Sequence, residues 1–254
     1  MLRKLLLAAL PACVAAILAA TSLGAEPVRP TAVLSITVEG GFVPFDVAFG
    51  TVPVLVAYRG GRAVMPATRA TYPGTAVQRL RTVKLTPAEL KQLLDRARAD
   101  GLVGGTVTYP VPPVTDLPTT TVTIVADGRT YSHAAYALGF EQDGETGARK
   151  TLQQFVAFST AFVKARGRVL HARRLPERVR MLATPQTSSS GTVRSWPLAN
   201  VRLADAPNCR VIAAPRAIRT LGTLRQGVLY RDRGVVYQVG LRSLLPGDSG
   251  CSSG

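Results

Sequence analysis

Two alternating runs separated by Asp127-Gly128 constrain the fold of this chain more strongly than any other feature. Residues 119–126 and 129–138 alternate between apolar and polar side chains, which is typical of strands with one buried face. Asp-Gly favours a two-residue turn between antiparallel strands, because both central positions of that turn need a positive φ. Such a turn fixes the register and places Val122 opposite His133 on the more apolar face. We therefore expect antiparallel sheet.

Several shorter signals indicate further strands. Gly60-Gly61 separates two β-rich runs and predicts a second hairpin with a two-residue turn. The predicted extended segments outside the Asp-Gly hairpin are residues 31–39, 52–58, 62–66, 76–85, 169–182 and 201–213, with a further hairpin of 227–230 and 235–239. Residues 110–118 are expected to form a proline-rich loop.

Two amphipathic helices interrupt these strands. Thr86 is placed as the N-cap of a helix over residues 87–100, with Pro87 at its first position and Glu89 completing a capping box. A second apolar stripe predicts a helix over residues 148–166. Because strands and helices do not alternate regularly, the pattern favours an α+β fold built on antiparallel sheet and hairpins.

The N-terminus has the pattern of a secretory signal. Arg3 and Lys4 precede an uncharged run over residues 5–23, and the small residues Gly24 and Ala25 offer cleavage points. We expect residues 1–25 to be a cleaved signal peptide, so that the body lies outside the cytoplasm. A retained membrane anchor and a lipoprotein modified at Cys13 are the alternatives, and both also place the body outside.

The remaining chain is expected to fold as two parts. Residues 28–184 form the α+β domain, residues 185–192 have the composition of a linker, and residues 193–254 form a small, basic, β-rich unit. Cys209 and Cys251 are the two cysteines beyond the signal. An even pair in an exported chain predicts a disulfide that staples the C-terminal unit.

The basic charge is concentrated towards the C-terminus. The whole chain carries a net +16, and residues 165–254 alone hold 15 arginines, no lysine and four acids. Such an excess favours an anionic partner, such as an envelope polymer or a membrane surface. Stacking aromatics are nearly absent there, so no specific nucleic acid is predicted. Arginine outnumbers lysine 26 to 5 across the chain, and codon composition is the alternative source of this excess.

We expect eight of these arginines to contact the partner. The pairs 166/168, 178/180 and 231/233 have the spacing that places two side chains on one face of a strand. The predicted set is Arg166, Arg168, Arg173, Arg174, Arg178, Arg180, Arg231 and Arg233.

Candidate catalytic residues are few. Asp116 and His133 are the weak candidates for an acid and a base, with an Asx-turn and a packing role as their respective alternatives. Ser249 lies in a Gly-Asp-Ser-Gly segment too close to the end of the chain to build a serine protease around it. The acidic stretch 141–145 favours a solvated turn over a calcium loop. No metal site and no cofactor are predicted.

Most of the body resembles exported bacterial proteins of unknown function. The likeness is carried by segments 40–44, 58–62, 85–90, 115–120 and 244–248, which are mainly turns and helix caps. The resemblance implies export and the domain arrangement, and it implies no activity.

These features favour a non-enzymatic protein of the cell envelope that binds an anionic partner through its arginine-rich C-terminal part. The alternative is a secreted hydrolase with a site around Asp116 or His133. A protein-binding module is a third hypothesis, and the sequence does not separate it from the first.

Overall fold

The structure, a computed structural model, describes residues 31–69, 71–140, 144–187 and 190–251. The predicted signal peptide, its cleavage points and Cys13 lie outside these described residues. The fold class is confirmed: the chain is an α+β protein with two sheets.

The first sheet has seven strands, all paired antiparallel, in the order β6-β5-β1-β2-β3-β4-β7. The strands are β1 (Ala32–Gly40), β2 (Leu55–Tyr58), β3 (Arg62–Pro66), β4 (Leu80–Lys84), β5 (Pro118–Ala126), β6 (Arg129–Tyr136) and β7 (Arg168–Arg174). The predicted register of the Asp-Gly hairpin is confirmed, because Val122 pairs with His133 and both turn residues have a positive φ.

The second predicted hairpin exists, but its turn is longer than expected. Ala57 pairs with Ala63, and the amide of Gly61 donates to the carbonyl of Tyr58 at 2.7 Å. Only Gly61 of the glycine pair has a positive φ, at 77°. The loop therefore has three residues and ends on a left-handed glycine, which is the next most common way to close a hairpin.

Helices cover one face of the first sheet. They are α2 (Pro87–Ala99) and α3 (Gly147–Arg166), while the short α1 (Phe45–Gly50) lies between β1 and β2. The predicted capping box is confirmed, since the side chain of Thr86 accepts from the amide of Glu89 and the Glu89 carboxylate accepts from the amide of Thr86. Leu93 of α2 and Phe155 of α3 are fully buried in the core between the helices and this face.

The second sheet has five strands in the order β10-β8-β12-β11-β9. Its elements are β8 (Arg178–Pro185), β9 (Val193–Ser195), β10 (Arg210–Ile212), β11 (Leu229–Asp232), β12 (Val235–Leu244) and the helix α4 (Pro215–Leu221). β9 and β11 are parallel, and the other pairs are antiparallel. This sheet begins at β8, on the N-terminal side of the predicted linker, because β8 pairs along its whole length with β12.

The two sheets are held together through α1 and the end of β12. A Cβ on Gly240 would lie 2.7 Å from the ring of Phe49, so the absence of a side chain at that position lets α1 pack on β12. The carboxylate of Asp46 accepts from the amide of Gly227 at 2.7 Å. Leu245 enters a cluster with Val64 and Leu80 on the face of the first sheet opposite α2 and α3.

The predicted disulfide between Cys209 and Cys251 is present, with a Cα–Cα distance of 5.7 Å. It joins the end of the described chain to the residue that precedes β10. Within the described residues, no helix has the length and apolar character needed to cross a bilayer.

Candidate functional site: a cationic cleft

A cleft of about 350 Å³ opens between the first sheet and the segments that precede β8 and follow β12. We call it the cationic cleft. Val64, Leu80 and Leu245 give it an apolar floor. The basic groups on its walls are Arg62, His171, Arg174 and Arg178.

Strand register brings these basic residues together from distant parts of the chain. Arg62 of β3 pairs with Lys84 of β4, and Lys84 pairs in turn with Arg168 of β7, so one row across three strands is entirely basic. The next rows place His171 beside Thr82 and Arg174 beside Leu80. β7 is an edge strand, and Arg168, His171 and Arg174 on it are all exposed.

Acidic groups neutralise this cleft only in part. Glu177, the acid on its wall, lies 3.6 Å from Arg174, and both side chains are more than half exposed. A pair of this kind contributes little stability and exchanges readily with solvent ions. The nearby carboxylate of Asp248 accepts from the amide of Leu245 at 2.8 Å, which holds it in its own turn. The cleft therefore keeps a positive potential.

Tyr58 packs with the apolar floor of the cleft, and nearby charges affect the pKa of its hydroxyl. Burial raises the pKa of the Tyr58 hydroxyl, the charge of Asp248 raises this pKa further, and Arg62 lowers it by a smaller amount. The side chain belongs to the same apolar cluster as Leu80 and Leu245. Tyr58 is therefore a neutral packing residue of the floor.

Two of the predicted partner-binding arginines are occupied by the protein itself. Arg178 donates to the carbonyl of Asp248 at 2.6 Å, and Arg180 donates to the carbonyl of Gly250 at 3.5 Å. The guanidinium of Arg180 also lies 4.9 Å from the ring centre of Phe49. Burial lowers the pKa of Arg180, and Arg242, directly opposite on β12, lowers it further. These two arginines hold the C-terminal segment that the disulfide staples.

The predicted spacing pairs are confirmed for one strand only. Arg178 and Arg180 both lie on β8. By contrast, Arg166 is the last residue of α3 and Arg168 is the first residue of β7. Arg233 leaves β11 in a turn, with a φ of 49°. The prediction for pairs 166/168 and 231/233 was wrong, because a helix end and a tight turn interrupt the strands at those positions.

His133 is a buried structural histidine. Its Nε2 lies 2.9 Å from the carbonyl oxygen of Leu102, which can only accept, so Nε2 carries the proton. Its Nδ1 lies 2.9 Å from the hydroxyl of Tyr109 and accepts from it in the neutral ring. Both nitrogens are thus used to tie the segment after α2 to the hairpin, which agrees with the packing alternative.

Asp116 lies elsewhere, in the loop before β5. Its backbone has a φ of 60°, and its carbonyl accepts from the amide of Phe42 at 3.1 Å. Its exposed carboxylate borders a shallow cleft formed with Gly41 and Phe42. In the described part of the chain no hydrogen bond joins Asp116 to His133, so the geometry does not assemble an acid and a base from them.

Sequence reasoning missed a buried ion pair between Glu145 and Arg149. All five N–H groups of Arg149 are used: two donate to the Glu145 carboxylate and three to the carbonyls of Pro110, Tyr136 and Ala137. Glu145 was expected in a solvated turn, but it is buried because Arg149 and the amide of Gly139 satisfy its oxygens. The first three residues of the acidic stretch lie outside the described residues. The i, i+4 spacing of Glu and Arg at the start of α3 was the available signal.

No family model, curated protein or solved structure matches this chain. Its function is therefore argued from the geometry of its own residues.

Proposed function

We propose that this is a non-enzymatic exported protein that binds an anionic surface of the cell envelope through the cationic cleft and the exposed Arg168 and Arg174 of β7. The observation that carries the proposal is the row Arg62, Lys84 and Arg168, together with Arg174 further along β7 on the wall of the cleft. Like charges held in one row repel each other, and an anionic partner relieves that repulsion.

The shape of the cleft supports an extended anionic partner. Its floor is apolar and its walls are basic, so that a phosphate or carboxylate group contacts guanidinium groups while attached carbon atoms cover Val64 and Leu80. Edge position leaves β7 accessible along its whole length.

The hydrolase hypothesis gains no support from the site geometry. Both ring nitrogens of His133 are bonded to protein groups, and Asp116 borders a different cleft. A general base must reach the proton that it removes.

The proposal is tested by binding the purified protein to isolated envelope and to vesicles of anionic or zwitterionic phospholipid over a salt series. We expect binding to envelope and anionic vesicles that weakens steadily as salt rises, since screening shortens the reach of surface charges. Absence of binding to either anionic surface at low salt would reject the proposal.

A further inference from the structure

A second site lies along the loop that joins β3 to β4. A small notch of about 60 Å³ is lined by Arg69, Arg79 and Arg173 together with threonine and glutamine side chains. Among the described residues that line it, none is acidic. We call it the arginine notch.

The three arginines of the notch face no counter-charge from the residues that the structure describes. Within the described part of the chain, none of them forms an ion pair or a side-chain hydrogen bond. Guanidinium groups present forked N–H donors that match the oxygens of a phosphate group. A notch of this size accepts a compact oxyanion and excludes a sugar ring or a base.

The wall of the notch is fixed by contacts between the two sheets. The amide of Gly74 donates to the Gln226 side chain at 3.0 Å, and the amide of Gln226 donates to the carbonyl of Gly74 at 3.0 Å. Thr75 forms a β-bridge with Arg225 one residue further on. The loop between β3 and β4 is thus held against the turn before β11, which positions Arg69 and Arg79 in advance.

An apolar groove of about 680 Å³ adjoins this notch. Arg69 and Gln78 line both cavities, so the two lie side by side. Val38, Val54 and Met65 of the first sheet region form one side of the groove, and Ala161 of α3 forms part of the other. We call it the apolar groove.

Lys164 lines the groove beside the apolar residues, and the two threonines of the lining bond within the protein. The hydroxyl of Thr51 donates to the carbonyl of Val47 at 2.9 Å, and the hydroxyl of Thr160 donates to the carbonyl of Val156 at 3.0 Å. Their hydroxyl protons are therefore used within the protein. A volume of this size lies in the range of small-molecule sites.

The side chain of Gln78 lies where the notch and the groove meet. Its Oε1 atom is buried and has no hydrogen-bond partner among the described residues. Because this oxygen is buried, a ligand reaches it only after the Gln78 amide turns towards the junction of notch and groove, where the carbonyl oxygen needs a hydrogen-bond donor. A hydroxyl next to a phosphate group meets that need.

We propose that the notch and groove together bind a single-chain phospholipid whose head group is a phosphomonoester on glycerol. The phosphate lies among Arg69, Arg79 and Arg173, the glycerol hydroxyl donates to Gln78, and the acyl chain fills the groove beside Ala161. This site is separate from the cationic cleft and does not depend on it.

The test compares four probes by calorimetry with the lipid-free protein: dodecanoyl-glycerol phosphate below its micelle concentration, glycerol phosphate, inorganic phosphate, and dodecanoyl-glycerol phosphocholine. We expect the phosphomonoester lipid to bind at least tenfold more tightly than each of the others. The proposal would be overturned if the phosphocholine lipid or either chain-free anion bound as tightly as the phosphomonoester lipid. It would also be overturned if the phosphomonoester lipid did not bind.

Matched variants locate the site. Arg79→Gln with Arg173→Gln should weaken the phosphomonoester lipid at least tenfold, whereas Arg129→Gln on β6 should not. Ala161→Trp should weaken the lipid and leave glycerol phosphate unchanged, and Ala157→Trp, also exposed one turn earlier on α3, should change neither. If neither the double arginine variant nor Ala161→Trp weakens lipid binding, the ligand binds elsewhere and the proposal is wrong.

The variant Arg62→Gln/Arg174→Gln distinguishes this site from the cationic cleft. It should weaken binding to anionic surfaces while the affinity for the phosphomonoester lipid stays within twofold. Loss of lipid affinity in this variant would contradict a separate site.

Discussion

The side chains of Glu145, which precedes α3, and Arg149, in its first turn, form a buried ion pair with an N–O distance of 2.6 Å. The pair joins three segments, because Arg149 also holds the carbonyl of Pro110 in the proline-rich loop and those of Tyr136 and Ala137 at the end of β6. Its desolvation cost is offset by a complete set of hydrogen bonds.

Breaking this pair should strongly destabilise the fold. We expect Arg149→Met to lower the free energy of unfolding by about 3–5 kcal/mol, because it leaves a buried carboxylate without a counter-charge. Glu145→Gln/Arg149→Met should lower it less than Arg149→Met alone. Urea denaturation followed by circular dichroism measures the free energy of unfolding of both variants. A loss under about 1 kcal/mol for Arg149→Met would contradict a stabilising role for the ion pair.

The two adjacent glycines of the β2–β3 turn should respond differently to substitution. Gly61 has a positive φ, and a Cβ there would clash with the carbonyl oxygen of Leu85, whereas Gly60 has open space around it. Gly61→Ala should cost about 1–2 kcal/mol or more, since a left-handed conformation is unfavourable for alanine. Gly60→Ala is the matched control and should change the melting temperature little. Equal effects of the two substitutions would refute the three-residue turn.

The Cys209–Cys251 disulfide should stabilise the protein through the C-terminal segment. The two cysteines are 42 residues apart, and closing such a loop contributes about 4 kcal/mol in the chain-entropy model. We expect Cys209→Ser/Cys251→Ser to lose stability of this order, and a reductant to destabilise the natural protein but not the variant. An unchanged denaturation midpoint after reduction would argue against a stabilising bridge.

Glu89 gives the capping box of α2 a defined pH dependence. Hydrogen bonds from the backbone and side chain of Thr86 lower the pKa of the Glu89 carboxyl. Because the folded-state pKa is depressed, the stabilisation is fully present above the unfolded pKa of about 4.3 and is lost as pH falls through the lower folded value. Carboxyl NMR titration should show Glu89 titrating below a model peptide, and Thr86→Ala should return it towards the ordinary value. A titration at the ordinary value in the natural protein would contradict the capping box.

Local signals in the sequence predicted much of the fold. Asp127-Gly128 and the Thr86–Glu89 capping box depend on neighbouring residues, and both were found as expected. The Gly60-Gly61 turn was predicted one residue too short, because the contact with Leu85 that selects a glycine at Gly61 comes from the residue after β4, far along the chain.

The candidate site was less accessible to sequence reasoning. The cleft exists because strand pairing brings Arg62 beside β4 and β7, and no local pattern records that pairing. Partner binding by Arg178 and Arg180 stays a prediction, and no local pattern showed that each also donates to a carbonyl of the stapled C-terminal segment. Arg149 was missed because most of its acceptors lie in other parts of the chain.

Vesicle co-sedimentation at low salt most directly tests whether the cationic cleft binds an anionic surface. Arg62→Gln/Arg174→Gln is compared with the control Arg129→Gln/Arg219→Gln, which removes the same charge from exposed positions outside the cleft. Each basic residue near an anionic membrane contributes about 1 kcal/mol. We expect a roughly 30-fold loss of affinity for the cleft variant and a much smaller loss for the control. Equal losses in the two variants would show that total charge, and not the cleft, determines binding.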